Sequence, residues 1–361
     1  MNKGVETVSY TDEEIRVLIR KVMGFAETLP VEITPVAVRG SQRSFYRVCC
    51  SNGATVMFMH YDASRLENNY YAALAGFLRK VGVSAPRIFH HNAKKCYLLM
   101  EDLGEKDLWH CRQALWNIRR KYYFKTLNII RKLHAFRQED FLSVGVPMME
   151  AFGPALYRWE RDYFLQNFVQ TVCHIELDAA EAEALERELA LLADGFAEVA
   201  SCLIHRDLQS QNVMICGDEP VLIDFQGMRY GNPFYDLGSL LYDPYVSFTE
   251  VEREELLDYY YGISMPGYDF RTFREMFRKA SVQRLMQALG AYGFLGLKGN
   301  HPEFLAHIPS GLNNLIDAMN ESPAHCFLRN LVLRCREAIK STLKNPQSVH
   351  SYFLQNFKVR E

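Results

Sequence analysis

No stretch of the 361-residue chain approaches the about eighteen apolar residues that a membrane span requires. The longest apolar run, Ala288 to Leu297, is too short and reads as a buried helix. Met1 to Tyr10 lacks the apolar core of a signal peptide, so the protein is expected to stay in the cytoplasm where it is made. No Cys-x-x-Cys pair occurs among the nine scattered cysteines, which argues against both a disulfide framework and a zinc ribbon. Charge of one sign is not in excess either. Forty-one basic residues face 43 acidic ones, and no basic patch forms, which sets aside nucleic acid as a primary partner. Internal repeats, low-complexity segments and Pro- or Gly/Ser-rich tethers are missing as well.

What is present is the balance of a globular protein, 48% hydrophobic and 23% charged, on a chain long enough for two lobes. Thr11 and Glu14 form a capping box, and Ile15, Leu18, Ile19 and Val22 follow at helical spacing, predicting a helix from Asp12 to Glu27. Ser44 to Cys50 and Ala54 to His60 flank Ser51-Asn52-Gly53, a hairpin signal. A helix over Asp62 to Val81 and a strand pair at Arg87 to His91 and Lys95 to Met100 complete a small sheet with one helix laid on it. Beyond Gly104 the pattern is mainly helical: Leu115 to Phe136, Tyr157 to Val169, Asp178 to Val199, Phe273 to Gly290 and Phe327 to Leu343. A strand-rich interruption comprises Cys202 to His205, Asn212 to Cys216 and Val221 to Phe225.

That interruption carries the chemistry. His205-Arg206-Asp207-Leu208-Gln209-Ser210-Gln211-Asn212 lies between two apolar runs, and Ile223-Asp224-Phe225-Gln226-Gly227 ends the next. Together they offer one carboxylate for a hydroxyl proton, and an amide oxygen with a second carboxylate for a hard cation such as magnesium.

The pair resembles the catalytic and metal loops of kinases, H-R-D-x-x-x-x-N followed by Asp-Phe. No long activation segment or Ala-Pro-Glu follows Asp224. Tyr230-Gly231-Asn232-Pro233-Phe234-Tyr235-Asp236-Leu237-Gly238 comes at once, and Gln209 stands where protein serine/threonine kinases carry lysine. Both features resemble the aminoglycoside phosphotransferase and choline kinase-like superfamily. Leu98 to Gly104, Asp224-Phe225-Gln226 and Asp236 to Leu241 are similar to the bacterial cell-wall amino-sugar kinases, which phosphorylate the anomeric hydroxyl of N-acetylmuramate and N-acetylglucosamine.

The resemblance implies an α+β, bilobal protein-kinase-like fold, with a sheet-based nucleotide lobe at residues 1–103 and a larger helical catalytic and acceptor lobe at 104–361. It implies ATP and Mg2+, with Asp207 as base, Asn212 and Asp224 as metal ligands, Asp236 bracing the loop and His205 packed beneath it. Adenine is expected against Met59, Met100, Glu101 and Leu103, and the phosphates under Gly40-Ser41-Gln42-Arg43-Ser44. The strand Ala54 to His60 lacks the lysine most kinases carry there. Arg43 and Arg47 are the candidates to replace it, with solvated strand residues as the alternative, and Glu67 has no lysine to pair with. Trp159, Glu160, Arg229 and Tyr230 are candidate acceptor contacts, although the aromatic spacing around Trp159 equally suits a core face. A small-molecule acceptor, an amino sugar first, is expected. An aminoglycoside- or choline-type kinase and a non-catalytic ATP-binding pseudokinase are the alternatives.

Overall fold

The computed structural model describes residues 10–36, 43–137, 145–197, 199–264, 267–320 and 326–344. Helix α1 (Asp12–Met23) starts at the expected box: the Thr11 amide donates to Glu14 Oε2 at 2.8 Å and the Glu14 amide to Thr11 Oγ1 at 3.3 Å. It stops short of Glu27 because Gly24 takes a left-handed conformation that ends the helix. The sheet is antiparallel in the order β1 (Val31–Val36), β2 (Ser44–Cys50), β3 (Thr55–His60), β5 (Tyr97–Glu101), β4 (Ile88–Asn92). The β2–β3 hairpin turns where expected, with Gly53 at positive φ. β1 is an addition to the sequence reading. It sits at the sheet edge, the position in a sheet where a proline such as Pro35 is tolerated.

Two helices cover the sheet, not one. Ile15 and Ile19 of α1 pack against Val48, Val56, Phe58 and Leu99 on one face. On the other face, Met59, Leu98 and Met100 meet Leu74, Phe77 and Leu78 of α2 (Tyr71–Lys80) in a core continuous with that of the helical part. The stretch before α2 is not helix from Asp62 onward. Asp62 accepts from the amide and hydroxyl of Ser64, a turn that competes with helix, and a 3-10 segment (Leu66–Tyr70) leads into α2.

The helical part comprises α3 (Trp116–His134), α4 (Pro154–Phe164), α5 (Ala179–Ala197), α6 (Pro233–Leu241), α7 (Glu250–Ser264), α8 (Phe270–Leu297), α9 (Ile308–Met319) and α10 (Cys326–Lys344). α4 begins earlier than expected, with Pro154 in its first turn, and runs on into a π segment at Leu165–Gln170. Between α5 and α6 the three predicted strand runs resolve into two ribbons. β6 (Cys202–Ile204) pairs with β9 (Arg229–Gly231), and β7 (Val213–Cys216) with β8 (Glu219–Leu222). Asp224 and Phe225 lie outside the strands, because Asp224 adopts a left-handed turn (φ 60°). Among the described residues no helix is long and apolar enough to cross a membrane.

Candidate active site

The loop between β6 and β7 is shaped by one buried carboxylate. α6 is set by Asn232, whose Oδ1 accepts from the Phe234 amide at 2.9 Å, with Pro233 in the first turn. One turn on, Asp236 is fully buried. It accepts from the amides of His205 (2.7 Å) and Arg206 (2.8 Å), and His134 Nε2 lies 3.0 Å away. His205 Nε2 is 2.9 Å from the Ile223 carbonyl, which can only accept, so that nitrogen carries the proton. Its Nδ1 then accepts from the Asp207 amide at 3.3 Å. His205 is wholly buried and both ring nitrogens are engaged, so it ties the two loops together.

Asp207 is held from three directions. Its carbonyl accepts from Asn212 Nδ2 at 2.8 Å and from the Gln209 amide at 2.9 Å. Its Oδ1 accepts from Arg284 Nη2 at 2.7 Å. Arg284, on α8, is itself clamped, with Nε on Ser239 Oγ (3.1 Å) and Nη1 on Gln287 Oε1 (2.7 Å). Burial would push this guanidinium down, but the field of Asp207, joined by Tyr235, raises it. Sequence reading missed Arg284. Its signal was a single charged residue inside the otherwise uncharged helical run Ala280 to Leu297, which calls for a partner if buried.

Asn212 and Asp224 are neighbours because the Ile223 amide donates to the Asn212 carbonyl at 3.0 Å, extending the β7–β8 ladder. The Asn212 amide nitrogen is engaged by Asp207, which turns its Oδ1 the other way. Asp224 Oδ1 accepts from Gln226 Nε2 (3.1 Å) and forms an ion pair with Arg43. Burial would raise the Asp224 carboxyl, but Arg43 and Gln226 outweigh it and hold it below its ordinary value. One ionised carboxylate beside one amide oxygen is a donor set that fits magnesium, which takes few protein oxygens and shares its shell with phosphates.

Arg43 arrives from the start of β2, and Tyr71 and Glu67 add to the field that holds it charged. Glu67 therefore faces an arginine where a lysine was missing. Ser44 follows as an exposed residue of β2; Gly40, Ser41 and Gln42 lie outside the described residues. Arg47 is committed elsewhere than to phosphates. It bonds both oxygens of Asp102 (2.9 and 3.2 Å), the Gly104 carbonyl (2.9 Å) and Glu105 (2.5 Å), so two carboxylates absorb its charge and it ties β2 to the linker. Met59 and Met100 are buried on the sheet face that meets the helical part, and Glu101 and Leu103 follow, part-exposed, in the linker.

The proposed acceptor contacts scatter. Trp159 is half exposed on α4 and stacks on Tyr163 at 5.0 Å. Glu160 is not an open contact: it is fully buried, takes the Tyr235 hydroxyl at 2.8 Å and Gln283 Nε2 at 3.0 Å, and burial pushes its carboxyl up. Arg229 is buried over Phe152 and bonds the Gly227 carbonyl at 3.0 Å. Tyr230 is buried rather than at the cleft mouth, its hydroxyl on the Arg137 carbonyl at 3.3 Å. The acidic run of α5 offers no amine site, because Glu181, Glu183 and Glu186 pair with Arg334, Arg187 and Arg158, and Glu188 caps α10.

A sheet-based part and a helical part, with two carboxylates and an amide on adjoining loops, fit a phosphotransferase of the kinase-like kind. Residues 32–274 match the phosphotransferase enzyme family (APH), and the chain belongs to it as a small-molecule kinase. It is 25% identical over 318 residues to an N-acetylmuramate/N-acetylglucosamine kinase of Pseudomonas aeruginosa, covering 86% of this chain and 90% of that protein. It is 23% identical over 337 residues to one of Pseudomonas putida, covering 90% and 94%. Its fold is that of a choline/ethanolamine kinase family protein from Mesorhizobium loti (TM-score 0.59, 18% identity, 90% of this chain and 99% of that one). It is also that of an ADP-bound aminoglycoside phosphotransferase (TM-score 0.57, 15% identity, 86% and 99%).

Proposed function

We propose that this kinase transfers the terminal phosphoryl group of ATP to the anomeric hydroxyl of an amino sugar of the N-acetylmuramate/N-acetylglucosamine class, in the cytoplasm. The observation that carries the substrate is the likeness to kinases named for these sugars along nearly their whole length. The catalytic step needs little covalent help from the protein, only alignment and charge neutralisation. Asp207 takes the hydroxyl proton as the sugar oxygen bonds to phosphorus and the bond to ADP breaks. Arg284 holds that carboxylate in one orientation. Asn212 and Asp224 would hold Mg2+, which when bound offsets charge on the phosphate oxygens. Arg43 is the protein's own cation at the phosphates, with Ser41, Gln42 and Ser44 as neighbouring donors. Adenine lies against the linker, with Glu101 and Leu103 offering backbone groups and Met100 beside them; Met59 is sealed in the core and supports the strand from behind. Residues 1–103 thus serve the nucleotide, and 104–361 the catalytic step and the acceptor.

The test is ADP release by the purified protein against amino sugars, aminoglycosides and choline-type amines, with and without Mg2+. Release stimulated by one amino sugar, abolished in Asp207→Ala while nucleotide binding persists, is the expected result. Stimulation by amines or aminoglycosides alone would overturn the substrate, and full activity of Asp207→Ala would overturn the base.

A further inference from the structure

Arg206, the residue before the base, is the one guanidinium around Asp207 for which the described residues supply no partner. Its Nε is buried without a hydrogen bond. The two nearby carboxylates are engaged by others, Asp207 by Arg284 and Glu160 by Tyr235 and Gln283. Burial would lower the Arg206 guanidinium, but Tyr235, Asp207 and Glu160 keep it charged. Its backbone is fixed by Asp236 at a positive φ of 79°, a conformation that an arginine adopts only at a cost. A desolvated cation so held needs an anion to complete it.

The direction from which that anion must come follows from the neighbours. Arg206 extends past Gly227 and acts electrostatically on Tyr163, Glu160 and Tyr235, which belong to helices α4 and α6. This is the helical side of Asp207, whereas Arg43 serves Asp224 from the sheet. Around it Arg206, Arg229 and Arg284 lie within one another's field, and Arg206 helps to push Arg229 down.

We infer that Arg206 receives a carboxylate carried by the acceptor, so that this kinase selects an acidic amino sugar over its neutral counterpart. The inference rests on the amino-sugar reading and deepens it. A guanidinium binds a carboxylate through two parallel bonds, and an uncharged ester forfeits them. N-acetylmuramate carries such a group on its lactyl ether, and N-acetylglucosamine has none.

The experiment compares kcat/KM for N-acetylmuramate, its methyl ester and N-acetylglucosamine with the wild-type chain and with Arg206→Gln. The wild type should favour the acid over the ester by roughly tenfold to hundredfold, the scale of a charge-assisted hydrogen bond. In Arg206→Gln the ratio of acid to ester should collapse to near one. Equal rates on acid and ester with the wild type, or a ratio unchanged in the variant, overturn the assignment. Should the variant fail to fold, the wild-type comparison decides alone. Absence of turnover with any of these sugars would instead overturn the amino-sugar reading itself.

Discussion

Arg43 and Asp224, 181 residues apart in sequence, form an ion pair that joins the start of β2 to the loop after β8. Under the proposed function, Arg43 supplies from the start of β2 the cation that the resemblance to kinases places on the third strand. Arg43→Ala should lower kcat/KM for ATP by roughly 100-fold, as loss of a preorganised charge does. It should also cost about 2 kcal/mol of stability, less than a sealed pair because Asp224 keeps some exposure. Arg43→Lys should restore part of both. Steady-state kinetics with urea denaturation checks this, and wild-type kinetics for Arg43→Ala would refute it.

Arg284 acts through Asp207. Arg284→Met should reduce kcat by on the order of 100-fold through a misplaced base, with little change in KM for ATP. Arg284→Lys should recover little, because an ammonium cannot hold Asp207, Ser239 and Gln287 at once in fork geometry. A kcat/KM split measured on both variants decides it; a KM effect alone would contradict the role.

Gly238 is where α6 and α8 touch. A Cβ there would lie 2.8 Å from Ser281 Oγ and 2.9 Å from Ser281 Cα. Gly238→Ala should therefore cost about 1–3 kcal/mol by overpacking. Because α6 carries Asp236, activity should fall with stability. Thermal melts beside kinetics test this, and an unchanged Tm would show that the helices part freely.

Asp243 supports the catalytic loop by accepting from the amides of Ser210 (2.8 Å) and Tyr245 (2.9 Å). Burial raises its carboxyl to about 6, above its unfolded value. The folded chain therefore binds this proton more tightly, so the stabilisation is present in acid and is lost as pH rises through about 6. The shift corresponds to about 3 kcal/mol. Relative to Asp243→Asn, the wild type should gain most of that between pH 7 and pH 4 in urea unfolding. A difference independent of pH would refute it.

Much of this was legible in the sequence because local rules and tertiary structure agree. The Thr11 box, the Asn52-Gly53 hairpin and the Asp207, Asn212 and Asp224 spacing all rest on short-range geometry. The strand β9 was not legible, since three residues carry no period and its pairing with β6 is decided by packing. β1 was hidden by Pro35. The bonds of Arg47 were not legible, because its strand position says nothing of Asp102 and Glu105, which approach only when the linker folds back. Arg284 and Glu160 each find their partners within a helical interior, and sequence alone does not say which buried polar residues meet.

Asp236 draws its donors from positions 102, 31 and 30 residues away along the chain. None of these contacts repays the entropy of closing its loop until the segments have met. Helical content can thus return during refolding before the loop around Asp207 has a fixed form. Regained phosphotransfer marks the completion of assembly, and it trails the circular-dichroism signal.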